Sequence, residues 1–350
     1  MKKNRLCYIS RNYYNLTTAG NKAKTDNEDT LTEMGAINLG LHRTVNSSKM
    51  LAFFLDLAGI LRACCLLRKD DVLFLQYPVK KYFSFLCCIA RWKGAKTISL
   101  IHDLGSFRRR KLTVEQEIAR LSHCDYIIAS NENMRQWLLN HSMKKPVGAL
   151  GLFDYRANSF NKKNNASLHT PHSTPNVVYA GALSMRKNAF IVELSKQQLP
   201  FRLTIVGNKD GLQGLCENPH ISYQGFIPSE EFISTIDADF GLVWDGDSLD
   251  TCSGNYGEYL RWNSPHKVSF NLRAGLPIIV WKEAAVASII EQAGAGFSVS
   301  SLEELNEKLA HISPEEMTNM KQNAANMAKK LNSGHFLREA ICQAMADLHP

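Results

Sequence analysis

The strongest constraint in this sequence is a rhythm of short apolar runs and helical patterns that occurs twice. In the first half the apolar runs are residues 6–10, 71–78, 96–103, 125–130 and 147–153. They are rich in Val, Ile, Leu and Phe and do not alternate strictly, as expected of strands covered on both faces of a parallel sheet. Helical patterns fill the gaps at 52–67, 82–92, 114–122 and 133–140. Such strand–helix alternation builds βαβ units and a doubly wound sheet.

Residues 157–176, ANSFNKKNNASLHTPHSTPN, break the rhythm. They hold almost no apolar side chains, carry Pro171 and Pro175, and read as a linker. The rhythm then restarts. Strands are expected at 177–182, 201–207, 240–244, 277–281 and 296–299, and helices at 229–237, 266–274, 284–293 and 302–310. A last helix near 334–348 gathers Phe336, Leu337, Ile341, Met345 and Leu348 on one face, a stripe suited to packing back on the first domain. At 350 residues the chain exceeds what one core comfortably serves. The expected fold class is therefore α/β, with two Rossmann-like domains facing across a cleft. Residues 1–156 form the first, with 334–350 packed back on it; 157–176 link it to the second, 177–333. Ligands of such sheets bind beyond the carboxyl ends of the strands.

Composition narrows the classes. Hydrophobic residues at 45% and charged residues at 21% exclude global disorder. The formal net charge is +8, with clusters at Lys2, Lys3 and Arg5, at Lys80 and Lys81, and at 108–111. These are solvated surface or they face an anionic membrane or ligand. No nucleic-acid module or zinc-finger spacing is present in the pattern, so no nucleic-acid partner is expected. Trp92 and Phe107 flank the clusters, with Trp92 expected in the core. The nine cysteines lack C-x-x-C spacing and read as buried, reduced thiols of a cytoplasmic protein. No apolar segment follows the basic start, so no signal peptide is expected. The longest apolar run, 51–67, is interrupted by Asp56 and Arg62 and reads as a buried helix, not a membrane span.

Candidate site residues stand after the strands. Following the first, a polar loop with Thr18 and Gly20 leads into a helix, whose amides suit an anion; a plain solvent loop is the alternative. There is no G-x-G-x-x-G fingerprint. His102 and Asp103 end another strand and are acid/base candidates, although neighbours on a strand point oppositely and Asp103 also suits a helix cap. In the second half, Tyr179-Ala180-Gly181 runs into Arg186 and Lys187, where Arg186 suits a phosphate. Trp244-Asp245-Gly246-Asp247-Ser248 ends a strand in a D-x-D, which suits a turn or a divalent metal. Ser253 lies in the loop beyond. His266 and Lys267 start a helix, where a cation makes sense beside a bound anion.

The segment from His266 to Ile279, with Lys267 and the turn Ala274-Gly275-Leu276-Pro277, resembles the donor-site helix and following strand of GT-B glycosyltransferases. In that family an acid three residues after the lysine commonly holds the ribose hydroxyls; here Phe270 stands there. The blocks Gly241–Ser248, Thr251–Gly254 and Asn263–Lys267 look closer to bacterial β-1,6-galactofuranosyltransferases of O-antigen synthesis and to the related streptococcal adhesin glucosyltransferases. Ala19-Gly20, Ile101-His102-Asp103 and Tyr179-Ala180-Gly181 share that likeness. The resemblance implies a UDP-sugar as co-substrate, no cofactor and no obligatory metal, with UDP contacts at Thr18, Arg186, Lys267 and Tyr223.

The expected reaction is an inverting transfer to a glycan acceptor, with Asp103 or His102 as base and closure of the two domains excluding water. The rivals are a metal-dependent transferase using Asp245 and Asp247, and a non-catalytic partner subunit. Sugar and acceptor stay open between galactofuranose on a lipid-linked glycan and glucose on a protein-linked one, as does homo-oligomerisation. The basic clusters predict a cytoplasmic protein in peripheral contact with anionic membrane.

Overall fold

The computed structural model describes residues 4–14, 18–78, 82–107, 112–161, 174–208 and 212–348. The chain divides into two units, Met1–Asp154 with Gly334–Pro350, and Tyr155–Ser333.

The first unit contains β1 (Leu6–Tyr8), β2 (Asn12–Tyr13), α1 (Ala19–Glu33), β3 (Ile37–Asn38), β4 (Thr44–Val45), α2 (Lys49–Leu66), β5 (Val72–Tyr77), α3 (Phe83–Trp92), β6 (Lys96–Ile101), α4 (Val114–Leu121), β7 (Tyr126–Ala129), α5 (Glu132–Asn140) and β8 (Val147–Ala149). Its parallel sheet runs β3-β1-β5-β6-β7-β8. The chain leaves β1 in one direction and returns to β5 on its other side, so the topological switch point lies between β1 and β5. The short β2 and β4 pair separately.

The second unit contains β9 (Asn176–Ala180), α6 (Met185–Asn188), α7 (Phe190–Ser195), β10 (Arg202–Val206), β11 (Ile221–Tyr223), α8 (Ser229–Thr235), β12 (Phe240–Val243), α9 (Gly254–Gly257), α10 (His266–Arg273), β13 (Ile278–Trp281), α11 (Ala287–Gln292), β14 (Gly296–Val299), α12 (Leu302–His311) and α13 (Pro314–Asn332). Its parallel sheet runs β11-β10-β9-β12-β13-β14, the nucleotide-binding order, with the switch point between β9 and β12.

The last helix, α14 (His335–Leu348), belongs to the first unit. Leu337, Ile341 and Ala344 join Phe74, Ile98, Leu100 and Ile128 in one core cluster. Burying each large apolar side chain is worth about 1.5–3 kcal/mol. Asp154 accepts from the Leu337 and Phe336 amides at 2.8 and 3.3 Å and satisfies the start of α14. Tyr126 Oη donates to Asp347 near its end.

Several expectations change. The run 51–67 is not a buried helix: α2 buries only Ala52, Gly59, Ile60 and Ala63, because one narrow face meets the protein. Trp92 is 81% exposed, since it ends α3 at the surface. Phe107 packs on Trp137 at 4.9 Å. Cys7, Cys87, Cys124 and Cys252 are buried, but Cys65, Cys88, Cys216 and Cys342 are exposed, so apolar neighbours in sequence did not imply burial; all nine are free thiols. Residues 157–159 are not loose linker. The Ala157 amide bonds Asn332, the Asn158 and Ser159 amides bond Glu230, and Arg273 donates to both the Ala157 and Ser159 carbonyls. The middle of the expected linker, 162–173, lies outside the described residues, as do Lys2, Lys3, Lys80, Lys81 and 108–111. Arg5 is ion-paired with the buried Asp71 and is not a free surface cation.

Candidate functional site

In the second unit, the switch point gathers side chains from four segments. Tyr179 lies on β9, Asn188 ends α6, Asp245 follows β12, and Lys267 sits in the first turn of α10. Lys267 Nζ donates to Asp245 Oδ1 at 2.8 Å, to Tyr179 Oη at 3.1 Å and to the Trp244 carbonyl at 3.2 Å. Tyr179 Oη donates to Asp245 Oδ1 at 3.1 Å, and Asn188 Nδ2 donates to Tyr179 Oη. The Lys267 side chain is 11% exposed and that of Asp245 5%. Burial disfavours the ammonium more than Asp245 favours it, so the Lys267 pKa falls to about 8. Burial first, and then the Asp245 carboxylate, push the Tyr179 phenol far up, which keeps it neutral.

Two further cations stand beside this pair. Lys187 Nζ is 3.9 Å from Asp245 Oδ1, and Arg186 donates to Tyr256 Oη at 2.7 Å with its guanidinium 5.0 Å from the ring centre. Two lysines thus meet one buried carboxylate, and Arg186 is held on the Tyr256 ring that Lys187 also approaches, at 5.9 Å.

The turn Asp245-Gly246-Asp247 splits its two acids. Gly246 has φ +123°, and a Cβ there would stand 2.4 Å from Ser253 Oγ, so only glycine fits. The Gly246 amide donates to the Lys187 carbonyl, and the Phe190 amide to the Gly246 carbonyl, which ties this turn to the cation-bearing segment. Ser253 Oγ accepts from the Asp247 and Ser248 amides and donates to the Asp247 carboxylate. Asp245 thus faces Lys267 while Asp247 is bound by Ser253. Among the described residues no group of three or more His, Cys, Asp or Glu side chains is placed to hold a metal ion.

In the first unit, the switch point opens a cavity of about 390 Å³ whose lining includes Arg11, Tyr13, Lys24, Lys49, Gln76 and Tyr82. Beneath it, buried Glu28 accepts from Tyr13 Oη at 2.6 Å, Ser10 Oγ at 2.8 Å and Arg43 Nε at 2.9 Å. Burial raises the Glu28 pKa, against the hydrogen bonds from Tyr13 and Ser10 and the charge of Arg43. Arg11 pairs with Asp56 at 2.7 Å. Gln76 Nε2 donates to the Lys24 carbonyl at 3.1 Å, which fixes its amide orientation. Gln76 Oε1 then accepts from Asn27 Nδ2 and His102 Nε2, each at 2.9 Å. With Nε2 as donor, Nδ1 is the basic atom of a neutral His102. The ring stacks on Phe153 at 4.9 Å.

The structure thus joins Arg186, Lys267, Asp245 and Ser253 at one strand end. Lys267, at the helix start, is a buried ion-pair partner, because Asp245 reaches it from the end of β12. His266 turns away and packs on Tyr155 at 4.9 Å. Tyr223 ends β11, at the far edge of the sheet from β12, and donates to the Gly207 carbonyl at 2.7 Å. Thr18 caps α1 in extended conformation without a side-chain bond to the helix, and Gly20 has open space where a Cβ would stand. Asp103 lies in the loop after β6. Phe270 stacks on Phe232 at 4.4 Å, which explains why no acid occupies that position. Asn188 and Gln76 had no distinguishing sequence signal, while Tyr179 and Lys187 stood in the strand-end segment that the sequence singles out, without a role of their own.

Residues 6–152 match the Glucosyltransferase 3-like N-terminal domain, and residues 177–344 the Glucosyltransferase 3-like C-terminal domain. The chain belongs to the Glucosyltransferase 3-like family. This Glucosyltransferase 3-like chain is 29% identical over 340 residues to the β-1,6-galactofuranosyltransferase WbbI of Escherichia coli K12, covering 94% of this chain and 95% of that one. It is 24% identical over 258 residues to glucosyltransferase 3 of Streptococcus gordonii, covering 73% and 72%. Its fold is similar to sucrose-phosphate synthase of Thermosynechococcus elongatus, with a TM-score of 0.61 at 13% identity over 99% of this chain and all of that one. The fold is α/β with two Rossmann-like domains, the GT-B class, and the Glucosyltransferase 3-like chain is a glycosyltransferase of the hexosyl-transferring kind. None of its described helices is long and apolar enough to cross a membrane.

Proposed function

We propose that this glycosyltransferase moves a hexose, galactofuranose, from its UDP-sugar to a lipid-linked glycan acceptor in surface-polysaccharide synthesis. The observation that carries the donor half is the excess of cations at the β9/β12 switch point, Lys187 and Lys267 at Asp245 with Arg186 beside them on Tyr256. Such an excess suits a diphosphate and stabilises it as it leaves. Arg186 and Lys267 take the diphosphate, Tyr223 contributes a further UDP contact, and the charge is met without a metal. Galactofuranose is supported by the likeness to WbbI along nearly the whole chain.

The acceptor is assigned to the first unit, whose cavity offers amide, phenol and cationic groups suited to sugar hydroxyls. His102 or Asp103 takes the proton from the acceptor hydroxyl. The oxygen attacks the anomeric carbon, the bond from that carbon to the diphosphate breaks, and UDP departs with inverted configuration at the sugar. His102 is the better placed, because Gln76 orients its ring through Nε2. In a second reading glucose is transferred to a protein-linked glycan; its sugar is supported by the likeness to glucosyltransferase 3.

The test is a panel of nucleotide sugars measured by calorimetry and by transfer to synthetic acceptors, with and without EDTA. UDP-galactofuranose should bind and turn over, and transfer should survive EDTA. Turnover of UDP-glucose alone would replace the first reading with the second, and loss on EDTA restored by Mn²⁺ would return the metal.

A further inference from the structure

We infer that the outward face of α2 is a membrane-docking surface that lies on an anionic lipid bilayer. The inference adds a partner to the lipid-linked reading above and rests on that reading only for its purpose.

The observation is an inversion within one helix. An amphipathic helix of a globular protein turns its large apolar residues inward. In α2 the inward face is small: Ala52, Gly59 and Ala63 with Ile60, and a Cβ at Gly59 would stand 3.3 Å from the Leu41 amide. The large residues point outward. Met50 is 74% exposed, Phe54 57% and Leu61 54%. Their spacing of four and seven residues places them in one stripe along a helix about 27 Å long. A contiguous apolar stripe of this kind marks an interaction surface.

Charge selects the partner. Lys93 Nζ donates to the Cys65 and Leu67 carbonyls, which holds the end of α3 against the end of α2. Trp92 stands there, with Arg68 and Lys69 exposed beside it, and Lys49 opens the other end of the helix. Asp70 is the exposed acid in that run; Asp71 is buried and paired with Arg5, and Asp56, on the helix itself, is held by Arg11. Apolar side chains with an interfacial tryptophan and flanking cations suit the headgroup region of an anionic bilayer. A second copy of the chain suits the face less well. Two-fold pairing in either direction sets these cations against cations.

The test is co-sedimentation of the full chain with vesicles of phosphatidylcholine alone or mixed with phosphatidylglycerol, free of any acceptor. The wild-type chain should pellet with the anionic vesicles at low salt and be released by high salt. Phe54→Ser combined with Leu61→Ser should lower the bound fraction at least tenfold, with melting temperature and UDP affinity unchanged. Arg68→Glu with Lys69→Glu should weaken binding and flatten its salt dependence. A wild-type chain that stays in solution, or a Phe54/Leu61 variant that pellets as the wild type does, overturns the inference. So does a concentration-dependent dimer lost in that variant without vesicle binding, which gives the face to a second copy. Transfer to lipid-linked and soluble acceptors in detergent, measured separately, tests the acceptor reading; its failure leaves the vesicle result standing.

Discussion

The two switch points sit at equivalent places in two parallel sheets, yet their chemistry differs. In the first unit, between β1 and β5, the chain leaves a hollow lined by amides, phenols and the lysines Lys24 and Lys49; its one lining arginine, Arg11, is committed to Asp56, and Arg43 beneath it to Glu28 and Asp29. In the second, between β9 and β12, side chains pack into a cluster where two lysines face one buried acid and Arg186 stands on the neighbouring Tyr256. The difference teaches that the sheet order supplies a location and the charge balance decides what can occupy it. A hollow of hydrogen-bonding groups suits polyhydroxyl ligands; an excess of cations suits a diphosphate.

The sharpest way to test the contrast is to damage one side and read the other. His102→Ala should lower kcat by about 10²–10⁴-fold, the usual weight of general base catalysis, while UDP affinity stays constant. An unchanged kcat would move the base to Asp103, and a parallel loss of UDP affinity would collapse the distinction between the units. In the second unit, Lys267→Met strands Asp245 without its partner in a buried place. Removing one member of a buried pair costs roughly 3–5 kcal/mol, so the melting temperature should drop and UDP binding with it. A variant as stable as the wild type would mean that the pair is solvated. Arg186→Ala touches an exposed cation and should cost UDP about tenfold in Kd, about 1.4 kcal/mol, at constant stability.

The smallest expected effect concerns pH. The Lys267 pKa is about 8 in the fold and 10.5 as the ordinary value. Between these values the unfolded chain binds the extra proton, so this group makes stability rise as pH rises from about 8 to 10.5. Buried Lys321, also lowered to about 8, acts in the same window, so the Lys267→Met variant separates the two. UDP binding has the opposite sign. An anion at Lys267 favours the ammonium, so the Kd for UDP should rise about fivefold between pH 8 and pH 9. A Kd flat across that window would show that the anion does not contact Lys267.

Much of this architecture was legible in the sequence, because buried parallel strands leave dense runs of Val, Ile, Leu and Phe. The runs at 71–78 and 125–130 became β5 and β7. The two-residue strands β2, β3 and β4 left no such trace. The long helix α13 was missed although Ser313-Pro314-Glu315-Glu316 spells its start: Ser313 Oγ accepts from the Glu316 amide, and Glu316 reaches back to the Ser313 amide. At the site, Arg186, Asp245 and Lys267 stood out individually, by charge beside a strand end or helix start. Their association did not, since 22 residues separate Asp245 from Lys267 and 66 separate Tyr179 from Asp245. Helix α2 was misjudged for another reason. Hydrophobicity in sequence says that a face seeks an apolar environment, and it does not say whether that environment belongs to the same chain.

The return of α14 to the first unit has a consequence for synthesis. The second unit is one unbroken stretch, Tyr155–Ser333, and can complete its sheet as it leaves the ribosome. The first unit is emitted earlier yet finished later. Its core lacks Leu337 and Ile341, and Asp154 and Tyr126 lack partners 183 and 221 residues downstream, until α14 emerges. The half assigned to the acceptor therefore waits, with apolar surface uncovered, while the half assigned to the donor folds. A ribosome that stalls between the two events leaves a nascent chain with its second sheet complete and its first core still open.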